Sequence, residues 1–92
     1  MNSTANQVEV VVLGASPTGL YAVREAAGAG YRVAIADTRS GCAFHSHFVR
    51  GADQRCSGSL EAVERWLMAL AAQGSERPVL IPTNDIFIEF II

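Results

Sequence analysis

A run of aliphatic residues that stops abruptly at a glycine constrains the fold more than any other feature of this chain. The run covers residues 8–13 (VEVVVL), and a turn of small residues, bounded by Gly14 and Gly19, follows directly. Such a run suits a strand buried on both faces, as in a parallel sheet between helices. After it, Ser16 can cap a helix and Pro17 suits its first position, where no amide hydrogen is needed. The helix would point free N–H groups at the turn, which makes the turn a candidate anion-binding site.

The elements that follow repeat this alternation of strand and helix. Apolar spacing predicts a helix over residues 17–27, ended by Gly28 and Gly30, and then a strand over residues 31–36. Strand, helix and strand within about thirty residues form a βαβ unit, whose strands are parallel with a right-handed crossover. A short strand near residues 54–56, a helix from the Ser59 cap to residues 73–74, and a strand over residues 78–82 are predicted next.

This order predicts an α/β fold, a small open doubly wound parallel sheet with strand order 3-2-1-4 and helices on both faces. Residues 1–7 are predicted to be a disordered leader, and residues 8–92 a single domain. Residues 84–92 fit a strand by composition, but Thr83 or Asn84 can cap a helix there. Their apolar side chains predict that the domain is truncated at this end or that a partner covers it.

Charge and composition exclude several classes of function. The net charge is −2 and no basic run exists, which argues against non-specific nucleic-acid binding. No apolar stretch reaches the roughly 20 residues of a membrane span, and the start lacks a signal-peptide pattern, so we expect a cytoplasmic protein. Cys42 and Cys56 lack CxxC spacing and are interpreted as reduced thiols. His45 and His47, even with Cys42, form no convincing ligand set, so no metal site is predicted.

Doubly wound sheets bind ligands outside the C-terminal ends of their strands, where the strand order reverses. This rule places the turn at residues 14–19 beside the turn at residues 82–85. The side chains then expected to face each other across a crevice are polar: Ser16, Thr18, Thr83, Asn84 and Asp85. Hydroxyls, free amides and one carboxylate suit a polar substrate that carries both an acid and an amine.

The same turn also fits a dinucleotide-binding pattern. It is a degraded GxGxxG with Ser16 at the middle glycine, and Asp37 follows Gly14 by about 23 residues, close to the roughly 20 expected for a ribose-binding acid. A turn that needs small residues and an aspartate that caps a loop explain these residues equally well.

Three segments, taken in order, resemble a known family. They are the GxSxTGL opening at residues 14–20, the Ser-x-Phe-Val segment at residues 46–49 and the (I/F)PT-x-D motif at residues 81–85. Together they look like the N-terminal domain of ATP-grasp carboxylate–amine ligases, a Rossmann-like pre-ATP-grasp domain. By position, the resemblance implies a substrate-binding place for five residues: Ser16, Thr18, Ser46, Thr83 and Asp85.

The resemblance also implies a reaction, in which ATP phosphorylates a carboxylate and an amine attacks the acylphosphate to form an amide. ATP and Mg²⁺ are implied for the full-length parent, held by its later grasping domains. This chain alone is expected to be non-catalytic and to bind no cofactor. The implied partners are those remaining domains and small carboxylate and amine substrates, and the apolar C-terminus adds self-association.

Two other functions stay open. One is a dinucleotide-binding (NAD or FAD) Rossmann fragment of an oxidoreductase, favoured by the Gly14 turn and Asp37. The other is a stand-alone protein-interaction module that docks through its apolar C-terminus.

Overall fold

A four-stranded parallel sheet forms the centre of the protein in a computed structural model that describes residues 7–73 and 77–91. The strands are β1 (Val10–Leu13), β2 (Val33–Asp37), β3 (Arg55–Ser57) and β4 (Val79–Pro82), and the helices are α1 (Pro17–Gly28), α2 (Leu60–Gln73) and α3 (Asp85–Ile91). The spatial order β3-β2-β1-β4 confirms the predicted order 3-2-1-4. Residues 1–6 of the predicted leader, Gly74 and Ile92 lie outside the described residues.

Helices cover both faces of the sheet, as the continuous apolar pattern of the first strand predicts. All four residues of β1 are buried. The apolar layer between α1 and the sheet includes Val12, Val23 and Ile35. The layer between the sheet and the helices α2 and α3 includes Leu13, Val63 and Phe87. Each such side chain contributes about 1.5–3 kcal/mol when it leaves water. No helix in the described ranges is both long and apolar enough to cross a bilayer.

α1 begins and ends close to the residues that the sequence predicts, but its first turn lacks the predicted side-chain cap. Ser16 occupies the N-cap and Pro17 the first helical position, but the Ser16 side chain caps no amide, so the predicted capping bond is wrong. The backbone carbonyl of Ser16 accepts the first hydrogen bond of the helix, from Leu20 N at 2.9 Å. At the other end the helix runs through Gly28, and Gly30 adopts the left-handed conformation with φ +96°.

The apolar C-terminal segment forms the helix α3. Asn84 caps this helix, because its Oδ1 accepts a hydrogen bond from Phe87 N at 3.0 Å. Phe87 is buried against the sheet, whereas Ile86, Ile88 and Ile91 are 54%, 43% and 40% exposed. The Asn84 cap and the burial of Phe87 therefore stabilise a helix over residues 85–91, although Ile and Phe favour strands.

The connection between β2 and β3 is ordered by short turns and by one buried side chain. It contains three 3₁₀ turns, Cys42–His45, His47–Val49 and Ala52–Gln54. The buried Gln54 side chain donates to Val33 O at 2.9 Å and Phe48 O at 2.8 Å, and accepts from Gly51 N at 3.0 Å. The pairing of β2 with β3 begins at Ile35, so the Gln54 side chain provides the hydrogen-bond partner of the Val33 carbonyl, before that point.

The outer edge of β4 is a poor template for another strand. Val79 N and Thr83 N donate to Glu9 O and Leu13 O, so these two peptide groups face β1. The alternate residues of the strand, Leu80 and Pro82, therefore present their backbone outward. Because proline has no N–H, Leu80 supplies the only outward donor within β4, which protects the edge from strand addition.

We predict that Gly14→Ala lowers the free energy of unfolding by about 2–4 kcal/mol. Gly14 has φ +125°, and an added Cβ would collide with Thr83 Oγ1, so backbone strain and steric overlap add together. Gly28→Ala is the matched control, because its Cβ would meet no atom within 4 Å. It should stabilise the protein by up to about 1 kcal/mol. Urea denaturation measures both, and equal effects would contradict this account.

Candidate functional site

The two turns that the sequence places together do meet at one edge of the sheet. Thr83 follows β4, and its N–H and hydroxyl both donate to Leu13 O at the end of β1, at 3.0 and 2.9 Å. Gly14 lies against the same threonine, since any side chain there would overlap Thr83 Oγ1. The predicted juxtaposition of the residue 14–19 and 82–85 turns is therefore confirmed.

A crevice of about 380 Å³ opens beside this junction, at the C-terminal ends of β1 and β2. It is bounded by the turn after β1, the loop after β2 and the start of α3. The residues that line it are Ala15, Ser16, Asp37, Thr38, Arg39, Ser40, Gly41, Asn84, Ile86 and Phe87. Its position at the reversal of strand order is that of ligand sites in doubly wound sheets.

Asp37 ties the walls of the crevice together. Its Oδ2 accepts from Ala15 N at 2.7 Å, and its Oδ1 accepts from Thr38 N at 2.6 Å and, more weakly, from Arg39 N at 3.4 Å. Hydrogen bonds from backbone amides to a carboxylate are among the stronger ones in proteins. The sequence left two roles open for Asp37, binding a ribose and capping a loop. In the structure Asp37 caps the loop.

The backbone N–H and carbonyl of Ala15 both form hydrogen bonds within the protein. Its N–H donates to Asp37, and its carbonyl accepts from Ala43 N at 3.0 Å and lies 3.8 Å from Cys42 Sγ. The loop after β2 thus packs over the turn after β1. Gly41 permits this close packing, because a Cβ there would overlap Ala15 O.

The residues predicted to bind substrate, to face the crevice or to form the anion-binding turn divide into two groups. Ser16 and Asn84 line the crevice, and Ser16 is exposed. Thr18 and Asp85 are exposed in the first turns of their helices and do not line it, nor do Gly14 and Gly19. Thr83 and Ser46 also lie outside the lining of the crevice. The Thr83 hydroxyl donates to Leu13 O, and the Ser46 hydroxyl accepts from Phe48 N.

Sequence reasoning missed the residues that the loop after β2 contributes. Arg39, Ser40 and Gly41 line the crevice, and Arg39 is the only positively charged side chain that the described part of the chain contributes to it. The signal was available, because Arg39 comes two residues after Asp37 at the C-terminal end of a predicted strand. Ile86 and Phe87 add an apolar wall that depends on the conformation of α3.

The histidines and cysteines lie outside this crevice. His45, His47 and Cys42 are exposed, and the described residues contain no group of three or more potential metal ligands. Cys42 and Cys56 are free thiols. Burial raises the pKa of the Cys56 thiol, which favours its protonated form.

A second concavity of about 470 Å³ lies between α2, β4 and α3. It is mostly apolar, with one acid and one base at its rim, and is lined by Glu64, Leu67, Met68, Ala71, Arg77, Pro78, Leu80, Phe90 and Ile91. We call it the apolar groove.

We predict that Asp37→Asn lowers the free energy of unfolding by about 2–3 kcal/mol. The amide removes the charge and aims its own N–H at one of the backbone donors. Asp85→Asn is the control, because Asp85 is exposed and its dipole interaction at the start of α3 is worth about 0.5 kcal/mol. Denaturation in urea measures both, and a neutral Asp37→Asn would show that the carboxylate does not hold the turn.

Comparisons with known proteins found no match: no protein-family model, no curated protein and no solved structure is similar to this chain. Functional conclusions therefore depend on the strand order, the crevice and the resemblance of the three sequence segments.

Proposed function

We propose that this domain forms the substrate crevice of an ATP-dependent carboxylate–amine ligase of the ATP-grasp type. The resemblance of the GxSxTGL opening and the PT-x-D motif to the pre-ATP-grasp domain motivates the proposal. The parallel sheet with order 3-2-1-4 is compatible with that domain.

The observation that carries the proposal is the meeting of these two motifs at one edge of the sheet. They are about 70 residues apart in the chain, yet Thr83 donates two hydrogen bonds to Leu13 O, beside Gly14. The crevice at their junction offers hydroxyls, an amide side chain and a guanidinium, which suit a small polar substrate.

The chemistry itself is assigned to the other ATP-grasp domains. They would hold ATP and Mg²⁺ and form the acylphosphate, while this chain shapes the site and is not catalytic alone. We propose a cytoplasmic location, where ATP is available.

The contacts of Asp37 and Ala15 weigh against the dinucleotide alternative. In dinucleotide-binding domains the acid after the second strand bonds the ribose, and amides of the glycine turn face the pyrophosphate. Here Asp37 accepts from three backbone amides, and one of these is the turn amide of Ala15.

A ligand panel followed by ¹⁵N NMR tests the proposed function. We expect small carboxylates such as acetate, propionate or glutarate to shift the amides of Ser16, Gly41 and Asn84, which line the crevice. The amides of Met68 and Ala71 in the apolar groove serve as internal controls and should not move. NAD, NADP, FAD and Mg-ATP should leave the spectrum unchanged. Micromolar binding of a dinucleotide would favour the oxidoreductase alternative, and micromolar binding of Mg-ATP would show that the nucleotide site is misplaced.

We further predict that the isolated chain self-associates through the exposed isoleucines of α3 rather than through the edge of β4. Ile88 is 43% exposed, so Ile88→Glu should shift the population toward monomer. Tyr21→Glu is the control, because it adds the same charge to α1, on the opposite face of the sheet, at a side chain that is 65% exposed. Light scattering over a concentration series measures the mass, and a wild-type monomer at hundreds of micromolar would contradict the prediction.

A further inference from the structure

The charges of the crevice are arranged for an anionic ligand. Arg39 is its only cationic side chain, and in the described part of the chain it takes part in no ion pair. The salt bridge that the structure does contain, Arg32 to Asp53 at 2.8 Å, involves neither Arg39 nor any other residue of the crevice. The guanidinium of Arg39 is therefore available to a ligand.

Among the residues that the structure describes, Asp37 is the only carboxylate that lines the crevice, and it is already hydrogen-bonded within the fold. Three backbone N–H groups, from Ala15, Thr38 and Arg39, stabilise its negative charge. It is therefore a poor acceptor for the ammonium group of a substrate. Asp85, the carboxylate that the sequence predicts at this crevice, does not line it.

The remaining polar groups of the crevice add hydrogen-bond donors. Ser16 contributes a hydroxyl that caps no amide of α1, and Ser40 contributes a second hydroxyl from the loop after β2. Ser16 also stands at the start of α1, where the partial charge of the helix is positive. Ile86 and Phe87 form an apolar wall on the α3 side.

We propose that the crevice binds the acid substrate as a monoanionic carboxylate, with the Arg39 guanidinium as the group that determines this specificity. The inference rests on the proposed function and names which of the two substrates this domain holds. A planar guanidinium matches a carboxylate with two parallel hydrogen bonds. A phosphate dianion fits less well, because Arg39 is the only cation and the charged Asp37 lies in the same crevice. The apolar wall favours an acid with a hydrophobic or planar body.

The test compares benzoate with its neutral isostere benzamide by ¹⁵N NMR titration of the full chain. Wild type should bind benzoate about tenfold or more tightly than benzamide, with shifts at Ser16, Gly41 and Asn84. Arg39→Gln should weaken benzoate about tenfold and leave benzamide unchanged. Arg39→Lys should restore part of the affinity, because it keeps the charge and loses the planar fork.

Arg65→Gln is the matched control, because Arg65 is an exposed arginine on α2 outside the crevice. It should change benzoate affinity by less than about twofold. Since Arg39 is also exposed, its variants should keep the wild-type amide spectrum away from the crevice. Equal binding of benzoate and benzamide, or unchanged benzoate binding by Arg39→Gln, would overturn the proposal.

Inorganic phosphate separates the carboxylate from other anions. Arg39-dependent binding of phosphate that is tighter than that of benzoate would overturn the assignment to a carboxylate. These outcomes are distinct from a failure of the proposed function, which would appear as micromolar binding of a dinucleotide. A benzoate site that depends on Arg39 would stand even then.

Discussion

The backbone of the turn after β1 is held by hydrogen bonds to two other parts of the chain, and the shape of the crevice at this edge of the sheet depends on them. Gly14 N donates to Ala36 O, Ala15 N donates to the Asp37 carboxylate, and Thr83 donates to Leu13 O. These bonds join the ends of β1, β2 and β4. Because they use backbone groups and half-buried side chains, they fix the shape of the crevice within the fold itself.

The long connection from β2 to β3 gives the crevice its second wall. Gln54 bonds Val33 O, Phe48 O and Gly51 N, so one buried side chain orders a segment that has little regular secondary structure. The segment then reaches back to the turn after β1, where Ala43 N donates to Ala15 O. The connection thus places Arg39 and Ser40 in the lining of the crevice, at the C-terminal edge of the sheet.

Much of the fold could be predicted because its signals are local. The apolar run ending at Gly14, the Ser59 cap and the prolines around β4 all act within a few residues, and the elements that they predict are present. The site was less predictable. Thr83 and Ser46 match motif positions, but their hydroxyls bond the backbone and neither residue lines the crevice. Arg39 belongs to no motif, yet it is the cation of the crevice.

The sequence by itself determined the strand order, the position of the turns and the pairing of two distant motifs at one edge. Periodic burial and the handedness of βαβ units are enough for this. Only the tertiary structure decided which polar groups at that edge form hydrogen bonds within the protein and which remain available to a ligand. The bond from Ala15 to Asp37 spans 22 residues, and that from Thr83 to Leu13 spans 70. A side chain's availability to a ligand depends on such partners, which no local pattern of residues specifies.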